Sequence, residues 1–240
     1  MVKNILITAG GTTEKIDDVR VITNFSTGRL GLAVARSFLE QEGSQLEKIY
    51  YLCDRNTPVP TEDKVEVVRV MGVQGLLDAL ETLLMTKKID AVIHAMAVSD
   101  YAVKTVTTID AIKNGEYELD AECKTDGKIS SEIEDLVIVL KKTPKVIGEI
   151  KKIQPETLLV GFKLLTNVEK ELLIDTGFKL LKKNSCDLVL ANDLSEISGD
   201  NHIGYLISKD GSYEKLLNKK QIADAIVRDI EKLTSEQNAK

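Results

Sequence analysis

The chain has 240 residues, enough for one large α/β domain or two small ones. With 32 Lys and Arg against 38 Asp and Glu, the formal net charge is −6, which argues against a general nucleic-acid binder, because that function needs a basic face to release counterions. Hydrophobic residues at 43% and charged residues at 29% exclude wholesale disorder, and no apolar run reaches the ~20 residues that span a bilayer.

Lys3–Thr8 (KNILIT) is a compact apolar run that suits a buried strand, broken by Gly10 and Gly11. A loop rich in Thr, Asp and Arg is expected to about Ser26. Gly31–Glu42 has helical apolar spacing and stops at Gly43, a good residue for the position after a helix. Lys48–Cys53 reads as a strand, Pro58 and Pro60 as a loop, Val65–Met71 as a strand, Val73–Lys87 as an amphipathic helix and Ile89–Ala95 as a buried strand. From about Val98 to Ser131 the rhythm changes. Asn-Gly at 114–115 and Asp-Gly at 126–127 predict a hairpin-built β excursion, or flap. Leu136–Leu140 then reads as a strand. Pro144 opens a helix over Lys145–Ile153. Leu158–Phe162 is a strand, Val168–Lys183 a helix and Asp187–Ala191 a strand. Gly204–Ser208 and Tyr213–Leu217 form a hairpin, Gln221–Leu233 a last helix, and the tail to Lys240 frays. The pattern is one α/β domain over 1–240, with helices on both faces of a mainly parallel sheet and an inserted flap at about 101–131.

Ligands in such sheets bind beyond the carboxyl ends of the strands, so the segments after the strands carry the candidate chemistry. Thr8–Glu14 holds Gly10, Gly11 and Thr12, either an anion-cradling turn or a plain strand end. In Val19–Gly31, Ser26 is a candidate N-cap. Ser26, Thr27 and Gly28 at a positive helix end suit a phosphate, Arg20 and Arg29 could pair with it, and Asn24 could polarise a carbonyl; an ordinary cap with solvated arginines is the alternative. Ala95–Lys104 offers small residues, Ala97 among them, and Asp100 for a hydroxyl or amide, or for capping a turn. His94 reads as a core histidine. Val160–Asn167 and Ala191–Asp193 follow buried strands. There Phe162 could stack on a base and Lys163 pair with phosphate, or Phe162 could belong to the core.

Two histidines, His94 and His202, give no metal-ligand pattern. Cys53, Cys123 and Cys186 suit neither a disulfide framework nor a CxxC site. The Tyr205–Lys209 run (YLISK) has the letters of a reductase YxxxK, but it falls on a strand, whereas that pair needs a helix. The N-terminus lacks signal-peptide architecture, so a soluble cytoplasmic protein is expected.

The segment TAGGTTEKIDDVRVITNFSTGRLG strongly resembles the opening of phosphopantothenoylcysteine synthetase, the second half of the bifunctional flavoprotein of coenzyme A biosynthesis. AVSDYAVK, GKIS, LKKTPKVI, VGFKLLTN and DLVLAND follow in the family's order, so the resemblance covers nearly the whole chain, in what looks like the stand-alone bacterial form. It implies a Rossmann-like three-layer fold, a homodimer whose flap strands could pair, and a Mg²⁺-assisted ligation using a nucleoside triphosphate, CTP in most bacterial members. It implies 4′-phosphopantothenate and L-cysteine as the other substrates, an acyl-nucleotidylate intermediate, and a separate decarboxylase as a possible partner, with neither nucleic acid nor membrane. Residue by residue, the resemblance places Gly10, Gly11 and Thr12 at the nucleotide phosphates and Asp100 at the ribose or base side. Phe162 lies by the base with Lys163 near. Ser26, Thr27 and Gly28 take the phosphate of phosphopantothenate, with Ala97 also on the substrate side. Arg20 reaches that phosphate across a dimer. Asn24 contacts the acyl group, and Lys128 matches the first lysine of the family's Lys-x-Lys-Lys flap motif, neutralising charge during nucleotidylyl transfer.

The chain departs from the family at Lys128-Ile129-Ser130-Ser131, which lacks the two later lysines; Lys124 is a candidate substitute. Leu165 stands where a glutamate is common. An NAD(P)-dependent reductase on the same fold is one alternative, opposed by the missing GxGxxG. A nucleotide-binding module without turnover is another, opposed by the presence of Asn24 and Lys128.

Overall fold

The computed structural model describes residues 2–41, 45–116, 127–198 and 201–239. Gly43, Cys123, Lys124 and Asp126 lie outside them. In chain order the elements are β1 (Asn4–Ala9), β2 (Thr13–Lys15), β3 (Val21–Thr23), α1 (Arg29–Gln41), β4 (Lys48–Cys53), β5 (Val65–Arg69), α2 (Gly72–Thr86), β6 (Ala91–His94), β7 (Tyr101–Thr108), α3 (Ile109–Lys113), β8 (Leu136–Lys142) and α4 (Ile147–Ile153). There follow β9 (Leu158–Leu165), α5 (Lys170–Asn184), β10 (Leu188–Asp193), a 3₁₀ turn (Leu194–Glu196), β11 (Ile197–Ser198), β12 (Asn201–Ser208), β13 (Tyr213–Asn218) and α6 (Lys219–Asn238).

The main sheet runs β11-β12-β10-β9-β6-β1-β4-β5, with β13 paired to β12. Strands β5, β4, β1, β6, β9 and β10 are parallel, and β12 is antiparallel to β10. From β1 the chain moves outward through β4 to β5, then returns to β6 on the other side of β1. The topological switch point, where a crevice opens in doubly wound sheets, therefore lies between β1 and β6. Strand alternation feeds two core layers. Ile5 and Ile7 of β1 pack with Val34 and Phe38 of α1 and Ile222 and Ile226 of α6. Leu6, one residue out of phase, packs with Leu76 and Leu80 of α2, Ile150 of α4 and Leu173 of α5. The three-layer α/β fold expected from the sequence is the one observed.

Asp187 ties the sheet at the end opposite the crevice. Its carboxylate accepts from Leu159 N at 2.7 Å and pairs with Lys151 Nζ at 2.9 Å and Lys209 Nζ at 2.6 Å. The YLISK letters thus have a structural use, since Tyr205 lies on strand β12, Lys209 falls in the turn just after it, and Lys209 holds Asp187.

Local expectations needed correction in several places. The segment 12–26, expected as loop, contains the hairpin β2/β3, paired from Thr13↔Thr23 to Lys15↔Val21. Asn114-Gly115 ends helix α3 and forms no hairpin turn. Thr108 Oγ1 caps the start of that helix by accepting from Ala111 N, and Gly115 takes φ +71° just after it. The partner of β7 is β8, running from Tyr101↔Lys142 to Thr108↔Leu136. Leu136–Leu140 therefore belongs to a two-stranded arm and not to the main sheet, and the arm's base reaches Lys142. Pro144 sits three residues before α4 and not in its first turn, and α6 continues to Asn238 where a frayed tail was expected.

Candidate functional site

The loops that follow β1, β3 and β6 meet at the switch point, and the carbonyl of Ala97 joins them. It accepts from Thr12 N at 3.1 Å and from Asn24 Nδ2 at 3.2 Å, while Ala97 N donates to Gly10 O at 2.8 Å. Thr12 is buried, and its hydroxyl accepts from Ser99 N at 2.8 Å. Gly10, Gly11, Thr12, Asn24 and Ala97 are thus brought together. Within this group Thr12 and the Ala97 backbone serve as ties between loops. Gly11 has no room for a side chain, because a Cβ there would meet Asn24 O at 2.6 Å.

Helix α1 opens beside this junction. The cap position belongs to Gly28, not to Ser26 as expected. Gly28 has φ +67° and accepts from Leu32 N at 3.0 Å, while Thr27 Oγ1 approaches Arg29 N at 3.5 Å. Ser26 and Thr27 are exposed on the approach to the positive end of the helix.

Arg20 and the segment carrying Lys128 are held together by a residue that the sequence reading missed. Asp17 Oδ1 accepts from Val19 N at 2.8 Å and Arg20 N at 2.6 Å, the pattern of an aspartate-nucleated turn. Asp17 Oδ2 accepts from Arg20 Nη1 at 2.9 Å and from Ile129 N at 3.1 Å. Asp18 adds a second tie, accepting from Gly127 N at 2.9 Å. Burial pushes the Asp17 carboxyl up, but the three backbone amides and the guanidinium outweigh it and hold the group below the usual carboxylate range. The Asp-Asp-Val-Arg spacing was the available signal.

On the other side of the crevice, Asp100 is exposed and forms an ion pair with Lys145, another missed residue. Thr143 anchors the neighbourhood, donating through Oγ1 to Ser99 O at 2.6 Å and through its amide to Asp100 O at 3.1 Å. Phe162 is half-buried, packed against the layer formed by α1 and α6, and Lys163 beside it is half-buried too. Asp193 is buried. Ser195, through its hydroxyl and amide, and the amides of Val168 and Asn167 hold its carboxyl well below the usual range, so it organises the β9–α5 turn. His94 behaves as a core histidine. It is buried against Thr8 Oγ1 at 3.0 Å, and burial pushes it down to about 4. Glu14 accepts from Val73 N at 2.7 Å, so the hairpin β2/β3 caps α2. Among the described residues no three His, Cys, Asp or Glu side chains cluster as a metal site.

Comparison with known proteins agrees with this architecture. The DNA/pantothenate metabolism flavoprotein C-terminal domain family matches residues 1–126 and 116–233. A coenzyme A biosynthesis bifunctional protein CoaBC of Thermococcus kodakarensis is 35% identical over 233 residues, 96% of this chain and 51% of the relative. The same-named protein of Methanocaldococcus jannaschii is 33% identical over 231 residues, 95% of this chain and 50% of the relative. The chain thus spans about half the length of these relatives. The crystal structure of the DNA/pantothenate metabolism flavoprotein from Streptococcus pneumoniae superposes with a TM-score of 0.86 at 33% identity, covering 97% of this chain and 100% of that one. A Cab2 mutant in complex with phosphopantothenate-cysteine, at 17% identity and a TM-score of 0.73, shares the fold. The switch-point junction, the order of the motifs and these matches lead to one conclusion: the chain belongs to the DNA/pantothenate metabolism flavoprotein C-terminal domain family, that of phosphopantothenoylcysteine synthetase.

Proposed function

We propose that this chain ligates 4′-phosphopantothenate to L-cysteine at the expense of a nucleoside triphosphate, CTP in preference to ATP, as a step of coenzyme A biosynthesis. The observation that carries the reading is the junction at Ala97, which gathers Gly10, Thr12 and Asn24 at the switch point, with Gly28 at the start of α1 set closely against Gly10, in a chain belonging to this family. In the first half-reaction the substrate carboxylate attacks the α-phosphorus, the bond to the β-phosphate oxygen breaks, and pyrophosphate leaves. In the second, the free amine of cysteine attacks the acyl carbon, loses a proton, and the nucleoside monophosphate departs as the amide forms.

The Gly10–Gly11 turn presents backbone to the nucleotide phosphates, and the start of α1, with Ser26 and Thr27 exposed and Gly28 buried behind them, suits the dianionic phosphate of phosphopantothenate. Arg20 carries the charge complement to that phosphate. Asn24 contacts the acyl group, and Lys128, exposed and tied by its neighbours to Asp17 and Asp18, neutralises charge at the α-phosphate. Asp100 takes ribose hydroxyls, and Phe162 with Lys163 lies at the base. Mg²⁺ would enter with the nucleoside triphosphate and would offset its charge. The hairpin and the arm expose Val19, Val21, Tyr101, Leu136 and Leu140, and this apolar surface supports a homodimer formed through them.

The test is pyrophosphate release with 4′-phosphopantothenate and Mg²⁺, comparing CTP with ATP, before and after L-cysteine. Release with CTP, with product of the expected mass only when cysteine is present, is the expected result. Release with ATP alone would overturn the nucleotide assignment, and release with neither would overturn the ligase reading.

A further inference from the structure

The turn after β4 touches both anion-binding loops. Thr57, which is buried, lies between Gly10 and Gly28. A Cβ built on Gly10 would meet Thr57 Oγ1 at 2.0 Å, and one built on Gly28 would meet Thr57 Cγ2 at 2.4 Å. One side chain therefore fills the space that two side chains would need, with its hydroxyl against Gly10 and its methyl against Gly28. Its rotamer is held from behind. The hydroxyl donates to Asp54 Oδ1, and Arg69 Nη1 donates to the carbonyls of Asp54 and of Thr57, the latter at 3.0 Å, and approaches Cys53 Sγ at 3.2 Å. Burial pushes the Cys53 thiol up to about 11, so it stays a neutral packing group beside the guanidinium. The backbone is close-set too, since the same Gly28 Cβ would lie 3.2 Å from Gly10 N.

We infer that Thr57 is a positioning residue that sets the separation between the Gly10–Gly11 turn and the start of α1, and hence between the nucleotide phosphates and the phosphate of the acid substrate. The inference rests on the ligase reading above for the names of those two ligands. Nucleotidylyl transfer needs the carboxylate in line with the α-phosphorus, and a misplacement of about 1 Å can cost about 10²-fold in rate. Asp54 and Arg69 act through Thr57 and need touch neither ligand.

Two near-isosteric substitutions separate the two contacts. Thr57→Ser removes the methyl against Gly28 and keeps the hydroxyl against Gly10. Thr57→Val keeps a methyl there and removes the hydroxyl bond to Asp54. Steady-state kinetics should show Thr57→Ser raising KM for phosphopantothenate about fivefold with KM for CTP within about twofold, and Thr57→Val doing the reverse. No change in either KM, equal changes in both, or a fall in kcat alone would overturn the inference. If the unsubstituted protein ligates with no nucleotide, the ligase reading fails, and the wedge is judged by thermal unfolding of Gly28→Ala, Thr57→Ser and the double variant. The double variant should then be no less stable than Gly28→Ala alone, because the methyl that the new Cβ strikes is gone. Additive losses would overturn the inference.

Discussion

Replacing Asp187 by alanine should cost stability and leave the crevice intact. The carboxylate is 3% exposed and serves three donors: the Leu159 amide, Lys151 with 16% of its side chain exposed, and Lys209 with 61% exposed. Leaving the buried Leu159 amide without an acceptor costs about 1–3 kcal/mol. Lys209 is solvated enough that its pair is worth about 0–1 kcal/mol. Stranding Lys151, with 16% of its side chain still in solvent, and the Leu159 amide together falls at the low end of the about 3–5 kcal/mol that breaking a buried pair costs, so the total is about 3 kcal/mol. For a chain of this size that corresponds to a fall in Tm of about 6–12 °C. Asp187→Asn keeps an acceptor for Leu159 and should lose about half as much. With no tryptophan in the chain, unfolding is best followed by circular dichroism at 222 nm. Because Asp187 lies at the end of the sheet opposite the crevice, KM values measured well below Tm should be unchanged. A Tm within about 2 °C of the parent, or a changed KM in folded Asp187→Ala, would refute the reasoning.

The Asp17→Asn variant should loosen Arg20 and the segment at Gly127–Ile129, raising KM for phosphopantothenate about tenfold while KM for CTP stays within about twofold; equal effects on both would refute it. Because the folded state depresses this carboxyl, its contribution to stability is complete above the ordinary value of 3.8 and is lost as pH falls through the lower folded value, so parent and variant should converge only in strong acid. His94 is shifted the same way for the opposite charge type. Between 6.5 and about 4 the unfolded chain takes a proton that the buried ring refuses, so stability falls with falling pH by about 1.4 kcal/mol per unit. Urea unfolding of His94→Asn, which keeps an atom for Thr8, should show a pH slope shallower by that amount, and parallel slopes would show that the ring does not titrate this way. Lys128→Gln should slow pyrophosphate release about 10²–10³-fold; near-normal acyl-nucleotidylate formation would remove Lys128 from the mechanism.

The regular α/β frame was legible because its strands and helices bury continuous or periodic apolar faces. Lys48–Cys53 is a strand with the expected bounds, and Asp210-Gly211 turns the β12/β13 hairpin as its residue types predict. The loop segments Thr8–Glu14 and Val19–Gly31 were found for a similar reason, since glycines and small polar residues after an apolar run announce a backbone that approaches something closely. Asn114-Gly115 misled because the dipeptide only asks for φ > 0, and a helix end meets that demand as well as a hairpin does. Pairing partners were not legible at all. Nothing local to Leu136–Lys142 tells whether it joins the main sheet or β7, because that choice depends on which edge the chain can reach.

Local periodicity and uninterrupted motifs were enough to mark the strands and helices of the main α/β frame, the family and the residue types available to hold phosphate, but not the β2/β3 hairpin or helix α3. It took the folded arrangement to show that Asp17 joins Arg20 to the segment carrying Lys128, that the Ala97 carbonyl gathers Thr12 and Asn24, and that Thr57 lies between Gly10 and Gly28. Apart from Asp17–Arg20, three positions apart, these contacts link residues 29 to 112 positions apart, and what brings them within 4 Å is the crossover at β1 and β6 and the packing of helices on both faces of the sheet.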